Sequence, residues 1–168
     1  MANSSLARIC KHLLMTPWRV RRRFPPATLE AIELEIKNSE AEHGGEICFV
    51  VEGALHGAAL YRGQSPRDRA IEVFSRLRLW DTDHRNAVLI YVLLADRAVE
   101  IIADRGADSR VGSQEWGDVC HAMEMAFGEG NYRPGAVAGI RAVTHHLVKH
   151  FPTHRSTVNE LPDKPLVL

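Results

Sequence analysis

The stretch that decides the fold is Leu79–Gly106, LWDTDHRNAVLIYVLLADRAVEIIADRG. Ala87–Leu94 is a continuous apolar run, which suits a central strand buried on both faces. Ala95-Asp96-Arg97 makes a short polar break, and Ala98–Ala103 resumes with β-branched residues around Glu100. The pair reads as a β-hairpin. In an antiparallel hairpin the start of one strand lies beside the end of the other. The loop Asp81-Thr82-Asp83-His84-Arg85-Asn86 is therefore expected to meet Asp104-Arg105-Gly106-Ala107-Asp108 at one edge of a sheet.

Upstream of the hairpin, Glu46–Glu52 (EICFVVE) is apolar and β-branched and reads as a strand. Ser65, Pro66 and Asp68 have the N-cap, N1 and N3 pattern of a helix start, and that helix runs to about Leu77 with Ala70, Val73, Phe74 and Leu77 inward. A strand–helix–strand step from Glu46 to Leu94 favours a right-handed crossover to a parallel neighbour. A helix from Pro26 to about His43 precedes the first strand and is ended by Gly44-Gly45. Two helices follow the hairpin, from Ser113 to about Phe127 and from Pro134 to about His150. The expected architecture is a three-layer α/β/α sandwich, with a small mixed sheet containing a central β-hairpin.

Residues 4–15 have helical spacing, with Leu6, Ile9, Leu13 and Leu14 on one side, and Arg19-Val20-Arg21-Arg22-Arg23 follows. An amphipathic helix with basic residues suits peripheral contact with an anionic membrane surface; an ordinary helix packed on the domain is the alternative. The expected division is a basic amphipathic segment over 1–24, a folded domain over 25–151 and a tail over 152–168. The tail has little periodicity and is expected to be extended over the surface or disordered.

At 168 residues the chain suits one domain, and its 21 Lys and Arg balance 21 Asp and Glu. That balance supplies no global field for nucleic acid. Cys10, Cys48 and Cys120 have neither disulfide nor metal-thiolate spacing, which points to a reducing compartment. With no secretory h-region and no bilayer-length apolar run, a soluble cytoplasmic protein is expected.

The acidic loops are the candidate site. Asp81, Asp83 and Asn86 have the oxygen-rich spacing of a hard-cation loop, but without the glycine and terminal glutamate of an EF-hand. Asp104 and Asp108 converge on them, and Glu46 joins if the first strand runs parallel to the second. Clustered carboxylates repel, and Ca²⁺ or Mg²⁺ would relieve that repulsion more readily than Zn²⁺ on oxygen ligands. A solvated acidic turn is the plainer alternative. His146 and His150 share a helix face near His145 and His154, a weaker zinc pattern without HExxH; a helix C-terminus favours His in any case. There is no G-x-S-x-G elbow and no glycine cradle for a nucleotide. Trp80 and Trp116 read as core or rim packing.

Several segments together resemble the TPM domain, the family of thylakoid-lumen phosphatase-like and photosystem-repair proteins and their bacterial relatives. Asn86-Ala87-Val88-Leu89 is similar to the family's Asn-Gly-Val-Leu strand entry, and Asp104-Arg105-Gly106 stands in place of its Gly-Tyr-Gly turn. Ala126-Phe127, Gly130, Tyr132 and Gly135, followed by Gly139-Ile140, match its Ala-Phe-x-x-Gly-x-Tyr-x-x-Gly pattern. The likeness covers roughly Pro25 to Phe151. It implies an α/β/α sandwich, cation binding of the kind found in some members and weak acid phosphatase activity of the kind attributed to others. On this chain the cation site would fall to Asp81, Asp83, Asn86, Asp104 and Asp108. Arg85 and Arg105 would steady a phosphate if a metal-activated water attacked it. The leading expectation is a divalent-cation-binding interaction module with a protein partner; the alternative is a metal-assisted phosphomonoesterase.

Overall fold

The computed structural model describes residues 2–81, 86–152 and 161–168, with side chains from Leu6 onward. The elements are α1 (Ala2–Leu13), α2 (Pro17–Arg23), α3 (Pro26–Glu40), β1 (Glu46–Glu52), α4 (Gly57–Tyr61), α5 (Pro66–Arg76), β2 (Ala87–Leu93), β3 (Ala98–Ala103), α6 (Arg105–Val111), α7 (Ser113–Gly128), α8 (Tyr132–His150) and β4 (Leu166–Val167).

One mixed sheet has the order β3-β2-β1-β4. The hairpin is present, with β2 central and β3 beside it: Val88 faces Ala103 in an antiparallel ladder. Across the β1–α5–β2 connection the strands are parallel, as expected, and Glu46 stands opposite Ala87. Alternate side chains enter two cores, as a pleat with period two requires. Ile47, Phe49 and Val51 of β1, with Val88, Ile90 and Val92 of β2, face α3, α7 and α8. Cys48, Val50, Leu89, Tyr91 and Leu93 face α5 and its flanking loops. The continuous apolar run of β2 is thus the sequence signature of a strand covered on both sides. The three-layer sandwich is confirmed.

The Ser65 cap is also as read: its hydroxyl oxygen accepts from the Asp68 N–H at 3.0 Å. Four short elements were not legible. α2 carries Val20 and Phe24 into the larger core. α4 lies in the stretch between β1 and α5. α6 follows directly on β3, with Asp104 as its cap. In the tail, β4 pairs parallel with β1, setting Val50 opposite Leu166, and the Leu168 N–H reaches the Val51 carbonyl at 2.9 Å. Each is too short to show a period, and each is held by backbone partners or by one or two buried side chains.

The outer edges are covered by side chains rather than left open. On β3, the Val99 N–H donates to Glu124 Oε1 of α7 at 2.9 Å. On β1, below the reach of β4, Glu40 of α3 lies against the backbone at Ile47. Such caps oppose edge-to-edge pairing with a second chain.

Candidate functional site

The N-terminal ends of β1 and β2 and the C-terminal end of β3 share one edge of the sheet. That topology brings Asn86 and Asp104 to the same end of the sheet through the hairpin, and Glu46 through the parallel β1–β2 ladder. Asp104 extends the ladder through its N–H to the Ala87 carbonyl at 2.8 Å, then caps α6: Oδ1 accepts the Arg105 N–H at 2.6 Å. Its other oxygen, Oδ2, is buried without a hydrogen-bond partner. Burying a carboxylate oxygen unpaired is costly, so this atom is the feature of the edge that asks for a ligand. Asn86 is buried and its Nδ2 donates to the Gly44 carbonyl, which ties the start of β2 to the α3–β1 turn and leaves Oδ1 as its acceptor. Glu46 is buried at the first position of β1.

The remaining residues are placed differently. Asp108 sits in the first turn of α6, its N–H on the Asp104 carbonyl, with an exposed side chain. Asp81 and Arg105 are exposed. Asp83 and Arg85 lie outside the described residues. Among the described residues no three His, Cys, Asp or Glu side chains gather closely enough to hold a metal ion. Among the described residues the edge therefore supplies Asp104 and Glu46 as its buried carboxylates. His146 packs its ring edge-on to Trp116 at 5.6 Å, which accounts for it as a packing residue; His154 lies outside the described residues. Trp116 is core, whereas Trp80 is exposed.

Two neighbours of the edge are held uncharged. Burial pushes His43 down to about 4; its Nδ1 accepts the Gly45 N–H at 3.1 Å. Glu40 is pushed up to about 8, first by burial and then by the negative charge of Glu46 and Asp163.

Sequence reasoning missed a polar network at the opposite end of β1. Arg69 grips Glu52 with two hydrogen bonds of 2.9 Å, and the Tyr91 hydroxyl donates to Glu52 Oε2 at 2.7 Å. Burial and the adjacent Glu52 raise the Tyr91 hydroxyl far above its ordinary range. The available signal was a glutamate closing an apolar strand, which must find a cation when buried. A second cluster sits at the hairpin turn, where Arg8 and His12 of α1 converge on Asp96. No local spacing connects those three positions.

The sequence profile of the TPM domain matches residues 22–146. The chain belongs to the TPM domain family. Among solved structures it is similar to the BA42 protein from the psychrophilic bacterium Bizionia argentinensis, with 30% identity over 84% of this chain and 92% of that one, and a TM-score of 0.72. The N-terminal domain of a protein from P. gingivalis shares the fold at 20% identity, covering 77% of this chain and 82% of that one, with a TM-score of 0.59. No curated protein sequence matches the chain. In this TPM domain the Phe/Gly/Tyr/Gly pattern is the α7–α8 corner. Phe127 stacks on Tyr132 at 5.4 Å, and Phe24 packs on both rings. Among the described residues no helix is long and apolar enough to cross a membrane.

Proposed function

We propose that this TPM domain is a divalent-cation-binding interaction module whose cation, Ca²⁺ or Mg²⁺, sits at the Glu46–Asn86–Asp104 edge and is completed by Asp83. The observation that carries this reading is the buried, unpartnered Asp104 Oδ2 beside two further oxygen-bearing side chains. A hard cation would satisfy that oxygen and relieve the repulsion among the carboxylates. The exposed Asp81 and Asp108 would contribute charge at the rim, and cation loading would set the shape of the 81–86 loop for a protein partner.

Phosphomonoester hydrolysis has less support. Arg105 is exposed to solvent, and burial pushes the Cys48 and Cys120 thiols up to about 12, far from a thiolate nucleophile. Three cysteines without disulfides favour a reducing, cytoplasmic address.

The test is a titration of ¹⁵N-labelled protein with Ca²⁺ and Mg²⁺. Saturable amide shifts at Asp81–Asn86 and Asp104–Asp108 are expected, and Asp104→Asn should weaken binding by about tenfold or more. Asparagine keeps the cap on α6, so this variant removes charge without removing the helix start. Unchanged shifts in the variant, or none in either protein, would sink the reading. Cation-dependent hydrolysis of an aryl phosphate, abolished by the same substitution, would replace the module with the enzyme.

A further inference from the structure

Helix α1 is docked on the body by its polar side. The buried His12 accepts the Leu55 N–H on Nδ1 at 2.9 Å, so its Nε2 carries the proton and donates to Asp96 Oδ1 at 3.0 Å. Arg8 pairs with the same carboxylate through Nε and a nitrogen at 2.8 Å, and also reaches the Gln64 carbonyl. On a helical wheel Arg8 and His12 fall about 160° and 120° away from Leu6, whereas Leu13 falls within about 20° of it. The leucines consequently face away from the domain. Leu6, Leu13 and Leu14 are 61%, 67% and 59% exposed, and Trp18 at the start of α2 is 65% exposed. An ordinary surface helix turns its apolar stripe to the core; this one packs Ile9 on the smaller core and turns Leu6, Leu13 and Leu14 to the outside.

Charge identifies what covers it. Six of the 21 Lys and Arg residues lie in the first 29 positions, and none of the 21 Asp and Glu residues does. A chain of zero formal net charge is therefore strongly bipolar. Lys11, Arg19, Arg21 and Arg22 are exposed, and among the described residues none of them makes an ion pair. Arg22 lies over the Trp18 ring at 5.5 Å. Exposed leucines next to a tryptophan and unneutralised arginines are the composition of a segment lying in a lipid interface, with side chains at the acyl boundary and guanidinium groups among anionic headgroups.

We infer that α1 and α2 form a peripheral docking surface for an anionic phospholipid membrane, held in place by the Arg8–Asp96–His12 cluster. Because α1 is already folded against the domain, its outward stripe is presented without a coupled folding step.

The test is flotation of the full chain, in EDTA so that the cation edge plays no part, with vesicles of phosphatidylcholine alone or with about 30% phosphatidylglycerol. The protein is expected to float with the anionic vesicles, to stay in solution with the neutral ones, and to be released by salt at about 0.5 M. A Leu13→Ser, Leu14→Ser, Trp18→Ser variant should lose about tenfold or more of the partitioning with an unchanged circular dichroism spectrum, since all three side chains are exposed. Equal partitioning into both vesicles, partitioning into neither, or retention by the variant would overturn the inference. So would a lipid-free dimer abolished by the same substitutions, which would assign the stripe to a second copy of the chain.

Discussion

Glu40 closes α3 and His43 follows three positions later, and each is kept in its uncharged form near neutral pH. Glu40 is raised from 4.5 to about 8, so the folded protein holds a proton there that the unfolded chain releases. Its contribution is present below the unfolded value and is lost as pH rises through about 8. His43 is lowered from 6.5 to about 4, so the unfolded chain takes up a proton first, and stability is lost as pH falls from 6.5 through about 4. Between 4.5 and 6.5 the two trends oppose each other; above that window only the Glu40 trend remains. Thermal unfolding of the native chain should therefore weaken from about pH 6.5 to about pH 9, and Glu40→Gln should remove that slope while keeping the acid-side loss. Identical alkaline slopes in the two proteins would show that Glu40 is not the titrating group. At this scale Asn86 and Asp104 were legible because hairpin geometry places them, and Glu46 because the crossover sets β1 parallel to β2. Glu40 and His43 were not, because their state depends on burial.

Among the helices, α7 and α8 pack against each other at close range. A Cβ on Gly135 would stand 2.8 Å from the Ala126 Cβ and 3.0 Å from a Phe127 ring carbon, and one on Gly139 would overlap Met123. Two small residues one turn apart thus set the helix separation, and Gly130 at φ +85° makes the corner before them. Gly135→Ala meets side chains rooted in the facing backbone and should cost about 1–3 kcal/mol in a urea titration. A loss below about 0.5 kcal/mol would mean that the helices can separate freely. The glycines were visible in the sequence as a pattern. Their function in helix approach was not, since the partner atoms belong to another helix.

For the molecule as a whole, the sheet is completed by the end of the described chain. β4 covers β1 at Val50 and Val51, while Leu161 and Leu166 pack on the smaller core. Removing residues 161–168 should uncover that edge, cost about 2 kcal/mol of stability by chemical denaturation and promote self-association seen by sedimentation. A monomer of unchanged stability would show that β4 is dispensable. The molecule also separates its charge: the basic α1–α2 surface and the acidic sheet edge are distinct parts of a chain whose net formal charge is zero.

The sequence by itself determined the sandwich, because a both-faces-buried strand, a capped crossover helix and a tight polar break are written in local spacing. It also indicated that Glu46, Asn86 and Asp104 stand at one end of the sheet, since antiparallel pairing follows from the hairpin and parallel pairing from the crossover. Only the tertiary structure decided that Asp104 keeps an unpaired oxygen, that Arg69 and Tyr91 close on Glu52, that the tail returns as a strand, and that α1 faces its leucines outward. Those outcomes depend on burial and on partners far apart in the chain. Arg8 and Asp96 are 88 residues apart, and no local period encodes such a contact.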